Sequence, residues 1–177
     1  MTFTVQSTDI ITTGDAITLG ASGDDLFLTQ GTTIVSEEGH GIVGAEGLHS
    51  VQIAGTVIRG EGGRYDAAIS LTGDIDGIPG AQEVTVFETG IVSSNGTGIE
   101  MRLGLSNYDA QYFSNYGLVE GRDMGVNIVS ASADFSRSYF LNTGTITSQN
   151  GADSFRGDLP NDTPAFASVY YEGPGIM

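Results

Sequence analysis

The chain has 177 residues, 39% hydrophobic and 16% charged, a length and composition that suit one folded domain with a core rather than a disordered segment. It carries no Cys and no Lys, six Arg against 22 acids, a net charge of −16 and a pI of about 4.1. Disulfides and thiolate metal sites are therefore excluded, and a field of that sign repels nucleic-acid backbones and anionic membranes.

The first stretch, "MTFTVQSTDIITTGDAITLG", alternates like a strand. It has neither a basic n-region nor a long apolar run, so neither a signal peptide nor a membrane span is read there. Residues 1–30 are expected to form an N-terminal cap and first coil, 31–157 the coils, and 158–177 a C-terminal cap or tail, all in a single domain of 1–177. Phe166, Tyr170 and Tyr171 are expected to cover the last coil.

Between those ends a phrase recurs. "YFSNYGLVEG" (Tyr112–Gly121) and "YFLNTGTITS" (Tyr139–Ser148) share an aromatic pair, an Asn and a Gly at equal spacing. Aligned on glycine, the frame returns at Gly31, Gly55, Gly90, Gly117 and Gly144, with spacings of 24, 35, 27 and 27. Four positions before each glycine stand Phe27, Val51, Val86, Phe113 and Phe140. Two positions after stand Thr33, Val57, Val92, Val119 and Ile146. Offsets of two put these side chains on one face of an extended chain. The apolar members are the expected core rungs. A second apolar site, Ile42, Ile69, Ile99 and Val126, follows after a glycine-rich turn.

No segment carries a 3.6-residue stripe long enough for a helix. An all-strand repeat of this length predicts an all-β fold, a short right-handed parallel β-helix (β-solenoid) of about five coils and about 24 Å in height. The alternative is a β-sandwich, which does not require the same phase in all five units. Asn115 and Asn142 fall at equal positions in consecutive units, which predicts a structural ladder of stacked amides. Glu88 occupies the matching position one unit earlier. The 35-residue unit places an insertion at Thr72–Glu83.

Units of the form φ-x-N-x-G-x-I resemble the right-handed parallel β-helix repeats of leaderless secreted bacterial proteins, the adhesin-type and the calcium-binding repeats-in-toxin class. Two stretches are similar to that class's nonapeptide GGxGxDxUx. They are "GASGDDLFL" (Gly20–Leu28), with Ala21 for the second Gly, and "GADSFRGDLPND" (Gly151–Asp162), where Asp158 and Pro160 replace glycines. The resemblance implies calcium as cofactor, with Asp25, Asp153 and Asp162 among its ligands, and type I export without an N-terminal leader. "GDIDG" adds Asp74 and Asp76, beside Glu83, as cation candidates from their carboxylates alone.

No catalytic set emerges. A lyase base would have to be an arginine, such as Arg59 or Arg64, and a two-histidine metal site would need His40, His49 and a nearby Glu. The expected function is that of a secreted or surface-exposed acidic protein, structural, adhesive or matrix- and filament-forming. Its expected partners are further copies stacked through the rod ends, or a carbohydrate or cell surface. The alternative is a carbohydrate-active enzyme or carbohydrate-binding module.

Overall fold

A computed structural model of the chain describes residues 2–20, 23–45, 48–63, 66–73, 81–103, 110–130, 137–150, 155–158 and 170–172. Every regular element among them is a strand, and the strands come in successive triplets. The first triplets are β1 (Phe3–Gln6), β2 (Ile10–Thr12) and β3 (Ile17–Leu19), then β4 (Asp25–Leu28), β5 (Thr33–Ser36) and β6 (Ile42–Ala45). Next come β7 (Ser50–Ile53), β8 (Thr56–Arg59) and β9 (Ala67–Gly73), then β10 (Ala81–Val86), β11 (Ile91–Ser94) and β12 (Thr97–Leu103). The last are β13 (Ala110–Asn115), β14 (Leu118–Gly121) and β15 (Met124–Ser130), then β16 (Arg137–Asn142), β17 (Thr145–Ser148) and β18 (Phe155–Asp158), with β19 (Tyr170–Glu172) beyond.

Every third strand pairs in parallel. Sheet A holds β1-β4-β7-β10-β13-β16-β19, sheet B the six strands from β2 to β17, and sheet C the six from β3 to β18. This is the expected all-β parallel β-solenoid. Among the described residues no helix is long and apolar enough to cross a membrane.

The core is a set of vertical columns. In sheet A, Leu26, Val51, Val84, Phe113 and Phe140 stack in register, as do Leu28, Ile53, Val86, Asn115 and Asn142. Sheet B contributes Ile34, Val57, Val92, Val119 and Ile146. Sheet C contributes Ile42, Ile69, Ile99 and Val126. All the apolar members are buried. Each such aliphatic side chain removed from water contributes roughly 1.5–3 kcal/mol, and no single coil can bury its inner face alone. Phe113 and Phe140 stack with centroids 5.1 Å apart.

The register corrects three assignments. Phe27 is not a core rung: Leu26 and Leu28 point inward and Phe27 lies half-buried on the outer face. Val86 is buried but occupies the asparagine column, and Val84 takes the place under Phe113. Glu88 leaves that column altogether and lies exposed in a corner.

The cause is corner length. From the last inward residue of sheet A to the corner residue that stacks above its neighbours is two positions at Ile53–Gly55, Asn115–Gly117 and Asn142–Gly144. It is four at Val86–Gly90 and at Leu28–Thr32. Gly55, Gly90, Gly117 and Gly144 form the corner column. A Cβ on Gly117 would strike the carbonyl oxygens of Gly90 and Phe87, and one on Gly144 that of Gly117. Gly31 is one position out of this column. Its glycine serves conformation instead, with φ at +82°.

Candidate functional site

The outer face of sheet A follows from the same alternation. One outward column runs Phe3, Asp25, Ser50, Glu83, Tyr112 and Tyr139, and the next runs Val5, Phe27, Gln52, Thr85, Ser114 and Leu141. Tyr112 and Tyr139 stack with centroids 4.9 Å apart and planes within 6° of parallel. At the corner between sheets A and B, Phe87 meets Phe27 edge-on at 6.2 Å. Phe87, Tyr116, Ile91 and Tyr112 are each more than a third exposed; Phe87, Tyr116 and Ile91 form a ridge at this corner, and Tyr112 stands apart near the start of β13. Among the described residues, sheet C exposes no large hydrophobic side chain.

Sheet C instead hides polar groups on its outward side. Ser70, Glu100 and Asn127 share an outward column and are all buried. The Glu100 carboxylate accepts from Arg102 Nη2 at 2.8 Å and from Asn127 Nδ2 at 3.1 Å. Asn127 Oδ1 has no hydrogen-bond partner. A lone carboxylate held by a guanidinium and an amide is not the pair of carboxylates that glycoside hydrolysis needs.

Two further polar sites are built into the corners. Arg59, only 4% exposed, donates through Nε to Gly39 O at 2.8 Å and through Nη2 to Glu38 O at 2.7 Å, and it meets the Asp66 carboxylate at 3.3 Å. Its guanidinium satisfies turn carbonyls of the rung beside it; it does not face solvent as a base would. His49 just before β7, Gln82 in β10 and Gln111 in β13 face inward at the start of sheet A and are fully buried. His49 Nδ1 lies 3.2 Å from both Asp24 N and Asp24 O, and its Nε2 has no partner. His40 Nδ1 lies 2.6 Å from Ala67 O. The two histidines thus stand in corners at opposite ends of β6 with separate partners, not around a shared metal.

In the glycine-rich "GASGDDLFL", Gly20, Gly23 and Asp24 lie between β3 of sheet C and β4 of sheet A. Asp25 lies on the outer face, and it is Asp24 that the corner uses. Its carboxylate accepts from Thr2 N at 2.8 Å and Gly20 N at 3.0 Å. Amide donation from Gly20, then from Thr2, holds this carboxyl below the usual aspartate range. Such a brace asks for N–H donors, whereas calcium asks for converging oxygens. Asp9 and Asp15 brace the other two corners of the same coil, accepting from Thr33 N and His40 N, each at 2.7 Å. Sequence reasoning missed these three braces; the signal was an Asp at each corner of the first coil.

Among the described residues no group of three or more His, Asp or Glu is placed to hold a metal ion. Asp74, Asp76, Asp153 and Asp162 lie outside the described residues, as do Arg64 and Phe166. The chain matches no protein-family model, no curated protein and no solved structure.

Proposed function

We propose that this chain is an acidic β-solenoid scaffold that works outside the cell or at its surface, in a structural, adhesive or matrix role, with the corner between sheets A and B as its contact surface. The observation that carries the reading is an exposed apolar strip at this corner, Phe87, Tyr116 and Ile91, on a chain of net charge −16. The strip stands on stacked rungs of a rigid core, so its spacing is fixed before any partner arrives. A carbohydrate polymer or other cell-surface component is the partner class, and calcium bridging the flanking acids is part of the same proposal.

The carbohydrate-active alternative draws less from the geometry. Sugar rings stack on free aromatic faces, but Tyr112 and Tyr139 each give one face to the other. The deciding experiment is retention of the purified chain on insoluble polysaccharide and on intact cells, with and without calcium, against the variant Phe87→Ser/Tyr116→Ser. Retention that the variant loses is the expected result. Retention by neither matrix, or retention the variant keeps, overturns the reading; release of sugar from the polysaccharide moves it to the enzyme class.

A further inference from the structure

β1, β2 and β3 form the end rung of the three sheets, and among the described residues each pairs on one side only, with β4, β5 and β6. Thr2 O and Gln6 O accept from Asp25 N and Thr29 N. The even-numbered residues of β1 therefore face β4, and by the alternation of a ladder Phe3 and Val5 turn their N–H and C=O to the free side. Natural sheets guard a free edge with charge, proline or a bulge. These strands read FTVQ, IIT and ITL, with neither charge nor proline. Phe3 and Val5 are 61% and 53% exposed and Ile11 is 77% exposed, the largest apolar exposures among the described residues. Inward-facing Ile10 and Ile17 are only half-buried.

What fits is a ring of three strands, since a single peptide would satisfy one edge and leave two. The far end of the rod does not supply a flush ring. Among the described residues, sheet A there runs to β19, one strand further than sheets B and C. Head-to-tail stacking on those strands leaves a step of about 4.8 Å. Two N-terminal rungs do match. A two-fold axis through the middle of β1 and the opposite corner reverses the direction of the chain around the ring. β1 then meets β1 of the second copy antiparallel, and β2 meets β3, both three residues long. In that register Phe3 is the hydrogen-bonded partner of Val5 of the second copy, their exposed side chains lie together, and Thr4 sits on the axis opposite itself.

We propose that the chain forms a closed head-to-head dimer through its first coil, with β1 antiparallel to itself across a two-fold axis. An isologous contact of this kind stops at two copies and makes no filament. It also brings corner acids toward one another, so the dimer strengthens as salt or calcium screens them. The contact is separate from the lateral ridge and stands or falls without it.

The chain has no Cys, so a single introduced thiol reports one contact. Thr4→Cys would place two thiols across a non-hydrogen-bonded pair with Cα atoms about 4.5 Å apart, inside the disulfide range. Mild oxidation should link this variant into a dimer of twice 18.4 kDa. It should do so at least about tenfold faster than Ile11→Cys, whose position faces Thr18 of the second copy and not itself. Val5→Pro removes a free-side N–H without touching the bonds to β4. It should weaken the dimer at least about tenfold in sedimentation, with the melting of the dilute chain unchanged. Equal cross-linking at the two positions overturns the proposal. So does a wild-type chain that stays monomeric at high micromolar concentration and high salt, one whose mass grows past two copies, or a Val5→Pro chain that sediments as wild type.

Discussion

Asn115 and Asn142 lie one rung apart inside the corner that leaves sheet A, and Asn115 Nδ2 donates to Asn142 Oδ1 at 2.8 Å. The same Nδ2 reaches Thr145 O at 3.2 Å, while Asn115 Oδ1 accepts from Gly117 N at 3.1 Å. The amide thus ties two rungs together and holds the turn of its own rung. Below it the column continues as Val86 and Ile53, so the ladder begins where the short corner becomes regular.

Asn115→Ala removes both ends of this arrangement and leaves Asn142 Oδ1 and Gly117 N buried without their partner. The expected loss is about 1–3 kcal/mol of unfolding free energy in a denaturant titration. Asn115→Ala combined with Asn142→Val should cost less than the sum of the two single changes, because the orphaned acceptor goes with its partner. Strict additivity would show that the two amides do not act as a pair.

The corner glycines make a sharper test of the column. In Gly117→Ala the new methyl runs into the backbone carbonyls of Gly90 and Phe87, which have no side-chain freedom to give way. A loss of about 1–3 kcal/mol or more is expected. Gly14→Ala is the control: nothing stands within 4 Å of the added atom, and its effect should fall within about 0.5 kcal/mol. Equal melting shifts for the two would show that the corner relaxes.

Phe113, Phe140, Val119 and Ile146 were legible in the sequence because the last units share one corner length, so a fixed offset from glycine finds the same column. Phe27 and Glu88 were not, and Val86 was legible as a core residue but not by its column. Two extra residues at the Val86–Gly90 corner slide the inner strand by a full period of two, which keeps Val86 inward but moves it to another column. At Gly31 the slip is a single residue, and that turns Phe27 outward. Alternation tells inside from outside but not what covers the outside, so a buried outward Glu100 left no signal. The aspartate braces were hidden for a different reason. An Asp in a glycine-rich turn reads equally as a cation ligand and as an acceptor for backbone amides, and only the placement of the Thr2 and Gly20 N–H groups decides between them.

Arg59 should tolerate no replacement. Its guanidinium serves two turn carbonyls and the Asp66 carboxylate at once. Arg59→Lys keeps the charge but cannot span these acceptors with one ammonium. Arg59→Leu keeps apolar bulk and abandons the carbonyls. Both should unfold at lower denaturant, with losses of about 2–4 kcal/mol, and the lysine variant should recover only part. A leucine variant as stable as the parent would show that the corner carbonyls find water instead.

Acid should loosen the first coil before the rest of the rod. The Asp24 carboxyl is held below its ordinary value of 3.8 in the folded chain by donation from Gly20 N and Thr2 N. A group whose folded value is depressed binds protons more readily when unfolded. Its contribution is therefore complete at pH values above 3.8 and is lost as pH falls through that value toward the lower folded one. Protonated Asp24 no longer presents two anionic oxygens to two amides, and the corner that joins β3 to β4 opens. Hydrogen exchange read amide by amide should show Gly20 and Asp25 losing protection as pH falls below 3.8, while Val92 and Val119 in the middle of sheet B keep theirs. In Asp24→Asn the amide still offers one acceptor oxygen but no charge, so these corner amides should exchange faster at neutral pH and show no further acid step. Loss of protection at the same pH throughout the rod would place the acid-sensitive group elsewhere.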